Sequence, residues 1–203
     1  AYYLTFLAVD HATRTENHHH VGVKIHDGSM AALLLRPIPA VYEAIASDLA
    51  SKIVGSLTII PFLIGLALLL RPEVAIALDR FLLFIPSVAL AWALAFSWTY
   101  WLSLTAFWLT HVSGIFRLHH AMMFVFGGQV APLPVLPGAL AMVAQVFPYR
   151  YMAAFPVEIL IGQVNGPSLA VGFAWQLGWV IVSVALSVLL WRQGVRQYAA
   201  VGA

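Results

Sequence analysis

Histidine is the residue type that first suggests chemistry. Eight occur in the 203 residues, and His11, His18, His19, His20 and His26 fall in one short polar stretch. Imidazoles gathered so closely are the raw material of a metal site. Their spacing does not make a catalytic one, because no HExxH is present. His119-His120 invites a histidine-built di-iron site, but that chemistry needs an HxxHH pattern, and residue 116 is Phe. The other chemical group is Glu158, set among Val157, Ile159 and Leu160. An acid in such surroundings is a functional position or one half of an ion pair, and Arg150 is the available partner. No GxxxxGK[ST] loop and no GxSxG elbow occur, so neither a phosphate cradle nor a serine nucleophile of those types is present. With no cysteine, disulfides, thiol catalysis and cysteine-held metals are excluded.

The elements that would position these groups are read from hydropathy. Hydrophobic residues make up 62% of the chain, charged residues 9%, and the mean hydropathy is +0.91. Soluble domains carry about 25% charge, so this chain cannot coat itself for water, and a polytopic helical membrane protein is expected. The net charge of +2 is too small and scattered for nucleic acid. A span needs roughly 20 apolar residues. Residues 53–70, 81–110 and 168–191 are uncharged runs of that order, and 118–137 is a run broken by Gly127-Gly128 and several prolines. Residues 1–9 read as the end of a span that begins before Ala1. Pro86 and the Trp98, Tyr100, Trp101 group are candidate interface markers, and the few polar residues inside the spans (Ser97, Thr99, Ser103, Thr105, Gln176) are candidate path-lining groups. With residues 10–52 placed inside, seven Lys and Arg lie inside and three outside, which predicts a cytoplasmic C-terminus.

Two regions do not span. Residues 10–52 begin polar and His-rich, then form a short apolar helix at 29–39 with Ser29 as its cap and Pro37 and Pro39 as its stop. Val41 to Lys52 reads as an amphipathic approach helix, with Glu43, Asp48 and Lys52 on one face and Ile45, Leu49 and Ile53 on another. Residues 127–167 are apolar but rich in proline, with short helices expected at 139–147 and 153–162. Irregular backbone at membrane depth must be buried in protein or line a cavity, so this region is an outer cap or a re-entrant hairpin.

In order along the chain, Ile25-His-Asp-Gly-Ser-Met-Ala-Ala-Leu-Leu-Leu-Arg-Pro37, Ala106-Phe-Trp-Leu-Thr110, Gly128-Gln-Val-Ala-Pro-Leu-Pro-Val-Leu-Pro137, the stretch from Phe147 to Gly162 and Tyr198-Ala-Ala-Val-Gly202 resemble permease subunits of bacterial type-2 ABC exporters. The resemblance implies a single transmembrane permease domain over 1–203, of all-α class, with four to five of six spans visible. It implies a cytoplasmic coupling helix at 29–39, outer helices at 138–165 and a cytoplasmic tail at 192–203. Asp27, Gly28, Leu33, Leu34, Leu35, Arg36 and Pro37 match the segment that couples to an ATPase subunit. Gln129, Pro132, Pro137, Arg150, Pro156, Glu158 and Gly162 match an outer gate over the path. No cofactor is expected in the chain, since ATP and Mg would be bound by the ABC ATPase partner. A second identical or homologous permease and the lipid bilayer of the bacterial plasma (inner) membrane complete the expected partners. The competing readings are a membrane-embedded, His-dependent metalloenzyme using His111, His119, His120 and Glu158, and a non-catalytic scaffold or channel.

Overall fold

A computed structural model of the chain describes residues 2–15, 21–71, 77–130 and 138–198. It is all-helical among the described residues. The helices are α1 (Tyr2–Thr13), α2 (Val23–His26), α3 (Met30–Leu34), α4 (Ala40–Leu70), α5 (Leu78–Leu104, prolonged by a 3-10 turn, Thr105–Phe107), α6 (Ser113–Phe126), α7 (Gly138–Val146), α8 (Pro148–Met152), α9 (Ala154–Leu160) and α10 (Pro167–Gln197). Three of these, α4, α5 with its 3-10 turn, and α10, are long and apolar enough to cross a membrane. The end at which α4 begins and α5 and α10 finish is here the proximal end, and the opposite one the distal end.

The boundaries differ from the sequence expectation in informative places. The coupling helix expected at 29–39 is reduced to Met30–Leu34, followed by bends to Pro39. Ser29 makes no side-chain cap; its hydroxyl donates to Asp27 instead, at 2.7 Å. The approach helix and the 53–70 span are one continuous helix of 31 residues, with Pro61 carried inside it. Pro86 likewise lies within α5 rather than at its end. The expected 118–137 span is the 14-residue α6, too short to cross at 1.5 Å per residue, and it starts at Ser113. Gly128 ends it with φ +85°, and a Cβ there would overlap the Tyr2 hydroxyl of α1 and touch Ala154 of α9. Residues 131–137, with Pro132 and Pro137, lie outside the described residues, as do His18–His20.

Packing is organised around α5. Along one side it meets α10, and α1, α8 and α9 pack against the rest of it. Ala91 and Ala95 are both buried, which lets backbones approach closely. Tyr100 is buried, and Trp98 meets Trp101, Tyr149 and Trp179 edge-on at 5.1–6.0 Å, so these aromatics build the interior and do not mark an interface. By contrast α4 packs mainly on α1, and none of its most apolar 18-residue window is buried. At the start of α4, Val41, Ala44 and Ile45 pack on the proximal core, but from Asp48 onward the amphipathic pattern faces opposite to a soluble helix. Asp48 is buried and accepts from Trp92 Nε1 at 2.8 Å, while Leu49 and Ile53 point outward. Lipid accepts apolar side chains, so the polar face is the one that turns into the protein.

The short helices α7–α9 fold back into the bundle. Phe155 is fully buried, and its ring occupies the place where a side chain at Gly172 of α10 would stand. Replacing Gly172 with Leu should therefore displace α9. The overpacking cost is about 1–3 kcal/mol, and it should appear as a lowered Tm in detergent, with Gly178→Leu, whose site is open, as the control.

Candidate functional site

Two regions carry the residues singled out in the sequence, one at the proximal end and one reaching in from the distal end. At the proximal end, α2 and α3 form a short two-sided segment. Its inner side is Val21, Ile25, Met30 and Leu33, buried against Ala44, Phe96, Tyr100, Leu104 and Ala106. The turn between the two helices is Asp27-Gly28-Ser29. Gly28 adopts φ +81°, which favours glycine, and Asp27 accepts hydrogen bonds from the Ser29 N–H (2.9 Å) and hydroxyl (2.7 Å). Those two donors hold the Asp27 carboxyl below its usual range. The turn keeps its charged acceptor above that range and weakens only when acid titrates it.

The outer side is Leu34, Leu35, Arg36, Pro37 and Ile38, all exposed, with Leu35 at 88%. Of the seven residues matched to the coupling segment, Leu33 thus faces the chain's own core, Asp27 and Gly28 make the turn, and Leu34 to Pro37 form the exposed tip. Ion pairs fasten the segment to α4. Lys24 Nζ lies 2.5 Å from Glu43, and Arg36 lies 3.9 Å from the same carboxylate. Farther along α4, Asp48 pairs with Lys52 at 3.4 Å, and Lys52 donates to the Arg14 carbonyl at the end of α1. These charges join the exposed tip, α1, α4 and α5 in one connected set.

The distal region is a set of short helices, α7, α8 and α9, folded as a hairpin against α5 and α10. Gln176 of α10 holds its inner end. Its amide nitrogen donates to the carbonyls of Tyr151 (2.9 Å) and Ser87 (3.0 Å), and its oxygen accepts from the Ser87 hydroxyl at 3.3 Å. Gln176 and Ser87 are each nine residues inside their helices, about 14 Å from the distal ends at 1.5 Å per residue. α8 is held about 14 Å along both helices, inside the bundle and not at its rim. The region is thus folded back between α5 and α10 rather than laid over the ends of the helices. The hairpin's own donors and acceptors are used as well: the Tyr151 hydroxyl donates to the Gln145 carbonyl, and Trp179 Nε1 donates to Val146.

Arg150 and Glu158 meet inside this hairpin. Arg150 donates from both Nε and Nη2 to one Glu158 oxygen, at 3.2 and 2.7 Å. The Glu158 side chain is 4% exposed and that of Arg150 18%. Pro156 is buried in α9 with its neighbours, and Gly162, at φ +77°, lies under the Arg80 guanidinium. Gln129 sits apart, beside the end of α6, where it hydrogen-bonds the Asp10 carboxylate of α1. Asp10 also pairs with Arg14 at 3.0 Å, and the three side chains line a cavity of about 310 Å³ with His119 and His120. The structure therefore joins Arg150, Pro156, Glu158 and Gly162 in one body and leaves Gln129 outside it.

The groups proposed for metal chemistry do not converge. Glu158 is taken by Arg150, His119 packs on Tyr149 with ring centroids 5.6 Å apart, and His111 is exposed beyond α5. Among the described residues there is no group of three His, Cys, Asp or Glu able to hold a metal. The polar residues expected to line a path also bond within the bundle, and Thr99 lines the same cavity of about 310 Å³. Thr99 and Ser103 donate to backbone carbonyls one turn back, and Ser187 reaches the Ser97 carbonyl of α5. The sequence reading missed the anchoring part of Gln176; its one signal was a lone amide in a 24-residue uncharged run.

The buried ion pair yields a prediction. Glu158→Ala leaves Arg150 charged and unpartnered and should cost about 3–5 kcal/mol, whereas Arg150→Met with Glu158→Leu should recover most of that loss. Thermal unfolding of the three variants in detergent checks this, and a double variant as unstable as Glu158→Ala would show that the pair is not what the site needs.

Comparison with known proteins supplies one match. Residues 1–202 match the family described as ABC-2 family transporter protein. No curated protein and no solved structure matches.

Proposed function

Because the chain belongs to the ABC-2 family of transporter proteins, as the match over residues 1–202 establishes, we propose that it is the permease subunit of an ATP-driven exporter and docks on a separate ABC ATPase through its α2–α3 segment. It is a multi-pass membrane protein by its family and its three long apolar helices. In this reading it lies in a bacterial inner membrane with the proximal end and the C-terminus in the cytoplasm. Transport requires a second permease, identical or homologous, facing it across the path. ATP and Mg belong to the partner subunit, and this chain supplies the path and the lever.

The observation that carries the proposal is the two-sided proximal segment. A segment anchored on its inner side by Met30 and Leu33 has no structural use for Leu35 and Ile38 in water. An apolar tip with a single guanidinium suits a groove on another protein, where Leu side chains bury area and Arg36 sets orientation. Movement of the tip reaches the spans along two routes. One runs through Glu43 into α4, and the other through the packing of Ile25, Met30 and Leu33 on the end of α5. The ATPase closing on ATP then shifts the balance between two arrangements of the helices, and transport follows from the substrate's different affinity for each. At the distal end the re-entrant hairpin, packed on both α5 and α10, moves with them and serves as the gate over the exit.

The test is co-purification with the candidate ABC ATPase, co-expressed with the full chain. Leu35→Asp should abolish capture while leaving the permease within about 0.5 kcal/mol of its original stability, because the side chain is exposed. Arg36→Gln should weaken capture less. Equal capture by wild type and Leu35→Asp would place docking elsewhere, and no capture by wild type would remove the ATPase-coupled reading.

A further inference from the structure

A third surface belongs to neither region. On the flank of the bundle at the proximal end, a groove of about 460 Å³ runs between α5 and α10 and is closed at one end by the start of α4. One wall is a stripe on α10, Val184, Val188 and Trp191, at i, i+4 and i+7. The facing wall includes Trp92 and Ala93 of α5. Polar groups at its floor are spent on the bundle's own backbone: Ser187 donates to the Ser97 carbonyl at 3.1 Å, and Ser97 to that of Ala93 at 2.7 Å. The body of the groove is thus apolar.

Its end is not. Arg192 continues the α10 stripe and is the charged residue among those that line the groove, with no acid beside it. It is exposed and takes part in no ion pair among the described residues. Counted from Pro167 at 1.5 Å per residue, Arg192 lies about 38 Å along α10, beyond the roughly 30 Å of a hydrocarbon core. The groove therefore passes from acyl-chain depth to headgroup level and ends on a cation, beside a tryptophan of the type that favours that level.

We propose that this groove is a binding site for an anionic phospholipid of the leaflet at the proximal end, one acyl chain lying between α5 and α10 and the phosphate held by Arg192. An apolar body with one negative terminus is the ligand that the lining complements, and a cationic end between helices at headgroup level is what distinguishes such a site from ordinary lipid contact. The inference rests on the membrane setting and on the groove, not on the coupling to an ATPase.

The experiment uses the full chain, delipidated in detergent and titrated with phosphatidylglycerol or phosphatidylcholine of the same acyl chains, with bound lipid counted by native mass spectrometry. Phosphatidylglycerol should be retained about fivefold more, the worth of one basic side chain at an anionic surface. Arg192→Gln should bring the two lipids level, Arg192→Lys should keep the preference, and Arg196→Gln, outside the groove, should not change it. Ala93→Trp, which fills the groove, should lower retention of both. Equal retention by wild type, or a preference that survives both Arg192→Gln and Ala93→Trp, overturns the proposal. So does efficient cross-linking of Val188→Cys to Val188→Cys of a second copy, since the groove would then be covered by protein.

Discussion

Backbone that leaves helical geometry inside a bilayer must find its hydrogen bonds in protein, and the distal half of this structure is arranged around that requirement. The breaks between α8 and its neighbours release carbonyls among buried side chains, where no water replaces the lost partners. Gln176 answers by donating to Tyr151 and Ser87 together, so one amide ties the hairpin to both α10 and α5. Phe155 seated at Gly172 and the Arg150–Glu158 pair hold the rest of the hairpin in place. A hairpin fixed this way to two long helices has little independent motion. In the proposed transport cycle it would travel with α5 and α10.

The proximal end obeys a different solvent. There the chain meets water, and the segment from Val21 to Ile38 divides its apolar residues between its own core and an exposed tip. The charged side chains nearby are not surface decoration. Glu43 receives Lys24 and Arg36, while Asp48 receives Trp92 and Lys52, so two carboxylates on one helix gather the tip, α1 and α5. The solvent-facing pairs on Glu43, unlike those of the buried Asp48, add little stability each. The consequence of both sets is geometric, since they fasten α4 to the tip at one carboxylate and to α1 and α5 at the other.

Much of this was legible in the linear chain because hydropathy and helix length are local quantities. The low charge and three long uncharged runs dictate a helical membrane protein, and α4, α5 and α10 fall where those runs do. The ordered motifs carry the family, and Glu158 with Arg150 stood out because an acid in an apolar stretch needs a partner close by. The break after α6 was legible too, since Gly127-Gly128 cannot continue a stable apolar helix as its neighbours can.

The tertiary structure alone decided which way each pattern faces. The amphipathic start of α4 has the same periodicity whether its apolar side meets a core or lipid, and only the neighbours Trp92 and Arg14 show that Asp48 and Lys52 turn inward. Leu33 and Leu35 look alike in sequence, yet one is buried and the other is almost fully exposed, because Leu33 lies on the inner side of α3 and Leu35 stands just past its end. Trp98 and Gln176 likewise read as interface or path residues until α8 is placed between α5 and α10. Local sequence sets how apolar a segment is and how far it reaches. What satisfies its polar atoms depends on residues as much as 127 positions away, as in the bond from the Tyr3 hydroxyl to the Val130 carbonyl, and only folding brings those together.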